Sequence, residues 1–127
     1  MATRSTIALE YADGTVGQIY CHWDGYLEHN GKILQESYQD PFEVQKLLDN
    51  GDMSVLNESV DGCEFYKDRG EDCPQRMYKD FADYRKNAQG EEYNYILRRD
   101  GKWYVEFYGE FDGLLTEAFK FQAEEEV

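Results

Sequence analysis

Apolar side chains alternate with polar ones near both ends of the chain and recur every three or four positions in between, the periodicities that distinguish strands from helices. From Ser5 to Tyr11 the apolar positions are Ile7, Leu9 and Tyr11, and Ala12-Asp13-Gly14-Thr15 then turns the chain into a second run ending at Trp23. Asp13-Gly14 supplies the positive φ of a tight reversal, so the pattern predicts a β-hairpin. Val16 and Ile19 fall on opposite parities with Gly17 between them, which predicts a β-bulge.

Ile33, Leu34 and Tyr38 have near-helical spacing and place a helix from about Gly31 onward. A second helix follows, with Asp40 as its cap, Pro41 at its first position and Glu43 completing a capping box. Val44, Leu47 and Leu48 form its apolar face, and Asn50-Gly51 ends it. Asp52 to Ser59 reads as irregular, Gly62 to Lys67 as a brief strand, and Asp68 to Pro74 as a charged loop. Met77, Phe81, Tyr84 and Ala88 predict a helix over Arg76 to Ala88, stopped by Gln89-Gly90. The strongest hairpin comes next: Tyr93, Tyr95 and Leu97 alternate before Asp100-Gly101, and Trp103, Val105 and Phe107 alternate after it. Gly109 to Gly113 breaks the pattern, Leu114 to Gln122 fits a short helix or an edge strand, and 124–127 reads as a frayed acidic tail. The expected architecture is one α+β domain over 1–127. It has an antiparallel sheet of two hairpins plus a short strand, with about three helices on one face.

A chain of 127 residues and 15.0 kDa has the size of one domain. Thirteen Lys and Arg against 27 Asp and Glu leave a net charge of −14, which repels phosphate backbones and argues against direct nucleic-acid binding. Met1 to Thr6 lacks the apolar stretch of a secretory signal, and no apolar run of about eighteen residues occurs. The expectation is a soluble cytoplasmic protein with no membrane partner. Cys21, Cys63 and Cys73 are an odd set without C-x-x-C spacing, so reduced thiols are expected; a Cys63 to Cys73 bridge would need an oxidising compartment. The Asn57-Glu58-Ser59 sequon is idle in the same setting.

The densest polar segment runs from Cys21 to Gly31 and holds both histidines. His22 and His29 flanking Asp24 could ligate a divalent metal or serve a hydrolase, but the spacing matches no established ligand pattern. Local hydrogen bonds that order a Gly-rich turn, with Trp23 and Tyr26 packed beside it, account for the same residues more simply. Cys21 and His22 diverge on a strand, and no cation lies near to activate the thiol. No catalytic residue, metal ligand or cofactor is therefore assigned. Tyr66 and Arg69 form a second cluster, in which the guanidinium offers a fork for an anionic group or makes only surface ion pairs. Together His22, Trp23, Asp24, Tyr26, His29, Tyr66 and Arg69 are the candidate ligand-binding residues, with the rings stacking a base and Arg69 meeting phosphate.

Eleven tyrosines exceed what one small core needs, and alternation sets Tyr104 and Tyr108 opposite Trp103, Val105 and Phe107. Exposed tyrosine among carboxylates makes a binding surface, so Tyr104, Glu106, Tyr108 and Glu110 are the candidate partner-binding residues. The alternative is that helices, or a second copy of the chain in a homo-oligomer, cover that face. The acidic surplus costs self-repulsion and suits attraction to a basic protein surface.

The opening Met1-Ala2-Thr3-Arg4-Ser5-Thr6-Ile7-Ala8, the string Ile19-Tyr20-Cys21-His22-Trp23-Asp24-Gly25-Tyr26, and His29-Asn30-Gly31-Lys32-Ile33-Leu34 resemble a family of small bacteriophage and prophage accessory proteins. Phe65 to Glu71 and the hairpin from Tyr93 to Trp103 share the resemblance. It implies a nonstructural phage protein acting on host machinery or defence. The functional expectation is a noncatalytic inhibitor or modulator of a host nucleic-acid-handling or defence protein in the infected cell. The alternatives are a binder that sequesters a nucleotide immune signal and a His/Asp hydrolase.

Overall fold

The computed structural model describes residues 2–125. Strands β1 (Ser5–Glu10) and β2 (Val16–Cys21) form the first hairpin, and a π-helical turn (Leu27–Gly31) leads into α1 (Lys32–Ser37). Next come α2 (Pro41–Asp49), β3 (Met53–Val55), β4 (Glu64–Phe65), β5 (Arg76–Tyr78) and α3 (Phe81–Asn87). The second hairpin, β6 (Tyr93–Leu97) and β7 (Trp103–Phe107), is extended by β8 (Phe111–Leu114) and followed by α4 (Leu115–Glu125). The chain forms an α+β domain around one open sheet ordered β4-β3-β2-β1-β6-β7-β8, with β5 also pairing β2.

The two hairpins join through a parallel pairing of β1 with β6, from Ser5↔Tyr93 to Leu9↔Leu97. The sheet is therefore mixed rather than wholly antiparallel, because the helical segments between the hairpins carry the chain back to start β6 alongside β1 in the same direction. On one face Ile7, Leu9, Ile19, Tyr95, Leu97, Trp103 and Val105 pack against Leu34, Val44, Leu47, Leu48, Leu115 and Ala118 of α1, α2 and α4. On the other, Ala8, Val16 and Ile96 pack against Tyr84 of α3, flanked by Phe81 and Tyr104. The helices thus divide between the two faces.

Coverage on both sides explains the missing bulge. The β1–β2 register is continuous from Ser5↔Cys21 to Glu10↔Val16, and Val16 and Ile19 are both buried because each face has its own cover. Gly17 has a different purpose. A Cβ there would stand 2.1 Å from Gln75 Oε1, the acceptor of the Tyr11 hydroxyl, so glycine makes room for that pair to cross the strand.

Asp40 caps α2 by accepting from the Phe42 N–H at 2.9 Å, whereas Glu43 turns to Lys46 instead of closing a capping box. The helix expected from Arg76 begins at Phe81, where the Asp80 side chain accepts from Asp83 N–H at 2.7 Å. Arg76–Tyr78 is instead a strand beside Val16–Gln18, and β3 lies within the segment expected to be irregular. Of the tail expected over 124–127, α4 includes the part up to Glu125; the rest lies outside the described residues.

Candidate functional site

The segment from Cys21 to Gly31 folds around Asn30, whose side chain is fully buried. Its amide donates toward Ser5 Oγ (3.2 Å), the Trp23 carbonyl (3.3 Å) and Cys21 Sγ (3.4 Å), and its Oδ1 meets His29 Nδ1 at 2.9 Å. The Tyr95 hydroxyl donates to the Gly25 carbonyl at 2.7 Å, and a Cβ on Gly25 would stand 2.7 Å from Ser5 Cβ. Asp24 adopts φ 58°, a left-handed geometry that Asp tolerates better than most residues. The turn is thus tied to β1 and β6 by a buried amide and a buried phenol.

The seven candidate ligand residues form local pairs, two of which, His22 with Trp23 and Tyr66 with Arg69, flank β3: the Trp23 N–H donates to the Ser54 carbonyl and Arg69 to its hydroxyl. The His22 ring accepts or donates through Nδ1 to the Tyr20 hydroxyl at 2.7 Å and stands edge-on to exposed Trp23 at 4.8 Å. Tyr26 lies beside His29 at 6.2 Å between ring centres, close to the turn that holds Asp24. Arg69 covers the Tyr66 ring at 5.4 Å, donates to Ser54 Oγ at 3.2 Å and approaches Glu64 at 3.9 Å. Among the described residues no three His, Cys, Asp or Glu side chains converge on a metal-sized site.

All three thiols are free. Burial pushes Cys21 up to about 12, and it also raises Cys63. Cys73 is half-buried. In the native protein a thiol-specific reagent is expected to label Cys73 alone, with Cys21 and Cys63 reacting only on unfolding. Peptide mapping after a short pulse checks this, and early labelling of Cys21 would contradict its burial.

The four candidate partner residues are spread along β7 and the turn that follows it, with Tyr104 on the face that α3 covers and the Tyr108 ring beside Tyr93 and Phe107 at the other end of the strand. Tyr104 donates to Asp100 Oδ2 at 2.6 Å, while Glu106 accepts from Asn94 Nδ2 at 3.0 Å and from the Gly109 N–H at 3.2 Å. Tyr108 and Gly109 have φ of 56° and 69°, and Glu110 N–H closes onto the Phe107 carbonyl at 3.0 Å. Positive φ at both central residues is the requirement of a type I′ turn, so the fold holds a tyrosine where Asn or Gly is preferred. Tyr108 is 58% exposed, its hydroxyl donates to Glu92 at 3.2 Å, and its ring stands edge-on to Tyr93 at 5.6 Å. Burial, then the Tyr108 phenol and the charges of Glu28, Glu92 and Glu110, push the Tyr93 phenol up. Ion pairs among the described residues include none of Glu92, Glu106 and Glu110.

A cleft of about 240 Å³ opens beside β7, between α3 and the sheet. Ile96, Asn94, Tyr104 and Glu106 line it from β6 and β7, Phe81, Tyr84 and Arg85 from α3, and Asp112 from β8. Arg85 pairs bidentately with Asp112, linking α3 to β8.

No family model, curated protein or solved structure matches the chain. Among the described residues no helix is long and apolar enough to cross a membrane. Strand alternation places Tyr104 and Glu106 on one face as expected, but it fails for Tyr108: β7 ends at Phe107, and the turn sets the Tyr108 ring beside Tyr93 and Phe107 rather than opposite them. Sequence reasoning missed Asn30, which resembles an ordinary turn-former before glycine, and the α3 side of the cleft, because α3 was expected on the other face of the sheet.

Proposed function

We propose that the protein is a noncatalytic binding protein that docks the acidic, tyrosine-bearing surface of β7 and the β7–β8 turn onto a cationic protein surface. The observation that carries this reading is Tyr108, an exposed aromatic in a left-handed turn position among Glu92, Glu106 and Glu110. A non-glycine residue there costs about 1 kcal/mol, and most of the Tyr108 ring is nevertheless left open to solvent. Among the described residues Glu92 and Glu110 form no ion pair, so their carboxylates are available for a partner's Lys and Arg. The sequence resemblance points to a host nucleic-acid-handling or defence protein as the counterpart, since such proteins present basic surfaces.

Tyr108→Asn tests the anchor, because Asn tolerates the left-handed region. Its stability is expected to stay within about 1 kcal/mol of the parent. Capture of the partner from host cytoplasm, identified by mass spectrometry, is expected to fall about tenfold. Glu110→Lys should reduce capture similarly, and raised salt should weaken it progressively. Capture indifferent to both substitutions and to ionic strength would refute the reading.

A further inference from the structure

We propose that the cleft between α3 and β6–β7 is a socket for one arginine side chain presented by the cationic partner. This inference rests on the docking reading above and specifies the chemistry of its central contact. Three features select a guanidinium. The cleft carries two carboxylates, Glu106 and Asp112, against the single cation Arg85, so its lining has an excess negative charge. Its walls include the rings of Tyr84 and Tyr104 and that of Phe81, one side of which Arg98 already covers, and such rings suit a flat and weakly hydrated cation better than a compact ammonium. The protein already uses this recognition internally. The Arg98 guanidinium lies 3.5 Å from the Phe81 ring centre and 5.9 Å from that of Tyr104.

The available space agrees. At about 30 Å³ per water, 240 Å³ corresponds to roughly eight waters, enough for a guanidinium and its methylene stem. Glu106 already accepts one amide hydrogen on each oxygen, from Asn94 and from Gly109. A carboxylate has about four lone-pair sites, so both oxygens can still accept the paired N–H groups of an incoming fork. Arg85 bound to Asp112 is the internal competitor. Its side chain and that of Asp112 are 46% and 49% exposed, so their pairing is weak enough for a better-placed cation to displace. The Glu106–Gly109 bond also joins the socket to the turn that carries Tyr108.

The test titrates N-acetyl-arginine amide, and separately its lysine counterpart, into the isotopically labelled full chain, followed by amide NMR. Saturable shifts are expected at Asn94, Ile96, Tyr104 and Ala88, with the lysine compound about tenfold weaker. Glu106→Gln should weaken the arginine compound about tenfold, and Arg85→Gln should strengthen it by freeing Asp112. A purely structural part for Arg85 would produce no such gain. Glu117→Gln on α4 serves as the unaffected control. Absence of shifts at the cleft, equal response to both compounds, or unchanged affinity in Arg85→Gln overturns the socket. If Glu110→Lys reduces partner capture as expected while the cleft ignores the probe, only the socket falls. If capture is indifferent to Tyr108→Asn, Glu110→Lys and ionic strength, the docking reading falls with it.

Discussion

Asn30→Leu is expected to destabilise the fold by about 3 kcal/mol, lowering the thermal midpoint by roughly 10 °C. Leucine has similar bulk, so the loss comes from hydrogen bonding rather than from a cavity. The Asn30 amide bonds Ser5 Oγ and the Trp23 carbonyl; leucine would leave Ser5 Oγ without this donor and the Trp23 carbonyl with only the weak Cys21 thiol. An orphaned buried polar group costs about 1–3 kcal/mol, and His29 loses its ring partner as well. The damage should spread along the chain, because Asn30 fixes the turn that carries Trp23 and Asp24 against β1. Urea unfolding, monitored by Trp23 and Trp103 fluorescence, measures the effect. A change under about 1 kcal/mol would mean that water replaces the amide, and that the turn does not depend on its side chain.

Elements whose signals are local were legible before the structure. Asp13-Gly14 and Asp100-Gly101 mark both hairpins, and Asp40-Pro41 with Asn50-Gly51 brackets α2, because turn and cap chemistry acts over a few residues. What the chain does not reveal is how distant pieces cover each other. β1 is buried at all six positions, yet its alternation of Thr6, Ala8 and Glu10 with Ile7 and Leu9 looks half-wet. Thr6 satisfies itself on Asn94 and Glu10 on Arg98, 88 residues away in both cases. Strands of three residues, such as β3 and β5, are too short to show a period. Met77 illustrates the error this causes: it continues the helical spacing of Phe81 and Tyr84 but lies exposed on β5.

The candidate site shows the same division. Tyr104 and Glu106 share a face by simple alternation, so the sheet side of the cleft was readable. The opposite wall was not, since Phe81, Tyr84 and Arg85 reach it only because α3 crosses to the second face. Asp112 belongs to a strand where the Gly109 to Gly113 pattern suggested only a break.

Glu10→Gln is the second substitution expected to have a large effect, about 2 kcal/mol at neutral pH. The Glu10 carboxylate is nearly inaccessible and accepts from Arg98 Nε at 3.1 Å, Arg98 Nη2 at 3.4 Å and the Arg99 N–H at 3.1 Å. Burial alone would raise its titration above the ordinary 4.5, but these bonds and the two guanidinium charges outweigh burial and hold it lower. The sign follows from linkage. The unfolded chain titrates at the ordinary value and the folded chain below it, so the stabilisation is complete above 4.5 and is lost as pH falls through the folded value. Glutamine keeps the shape without the charge, so the gap between parent and variant should narrow as pH falls below 4.5. Arg98 and Arg99 are 31% and 56% exposed, so solvent screens the released cations and keeps the cost below that of a fully buried broken pair. Urea midpoints measured across the acid range decide the matter: a difference that stays constant as pH falls below 4.5 would show that shape, not charge, is what Glu10 contributes. Because Arg98 also lies on Phe81, loosening it should release α3, and with it the wall of the cleft through which the protein is proposed to hold its partner.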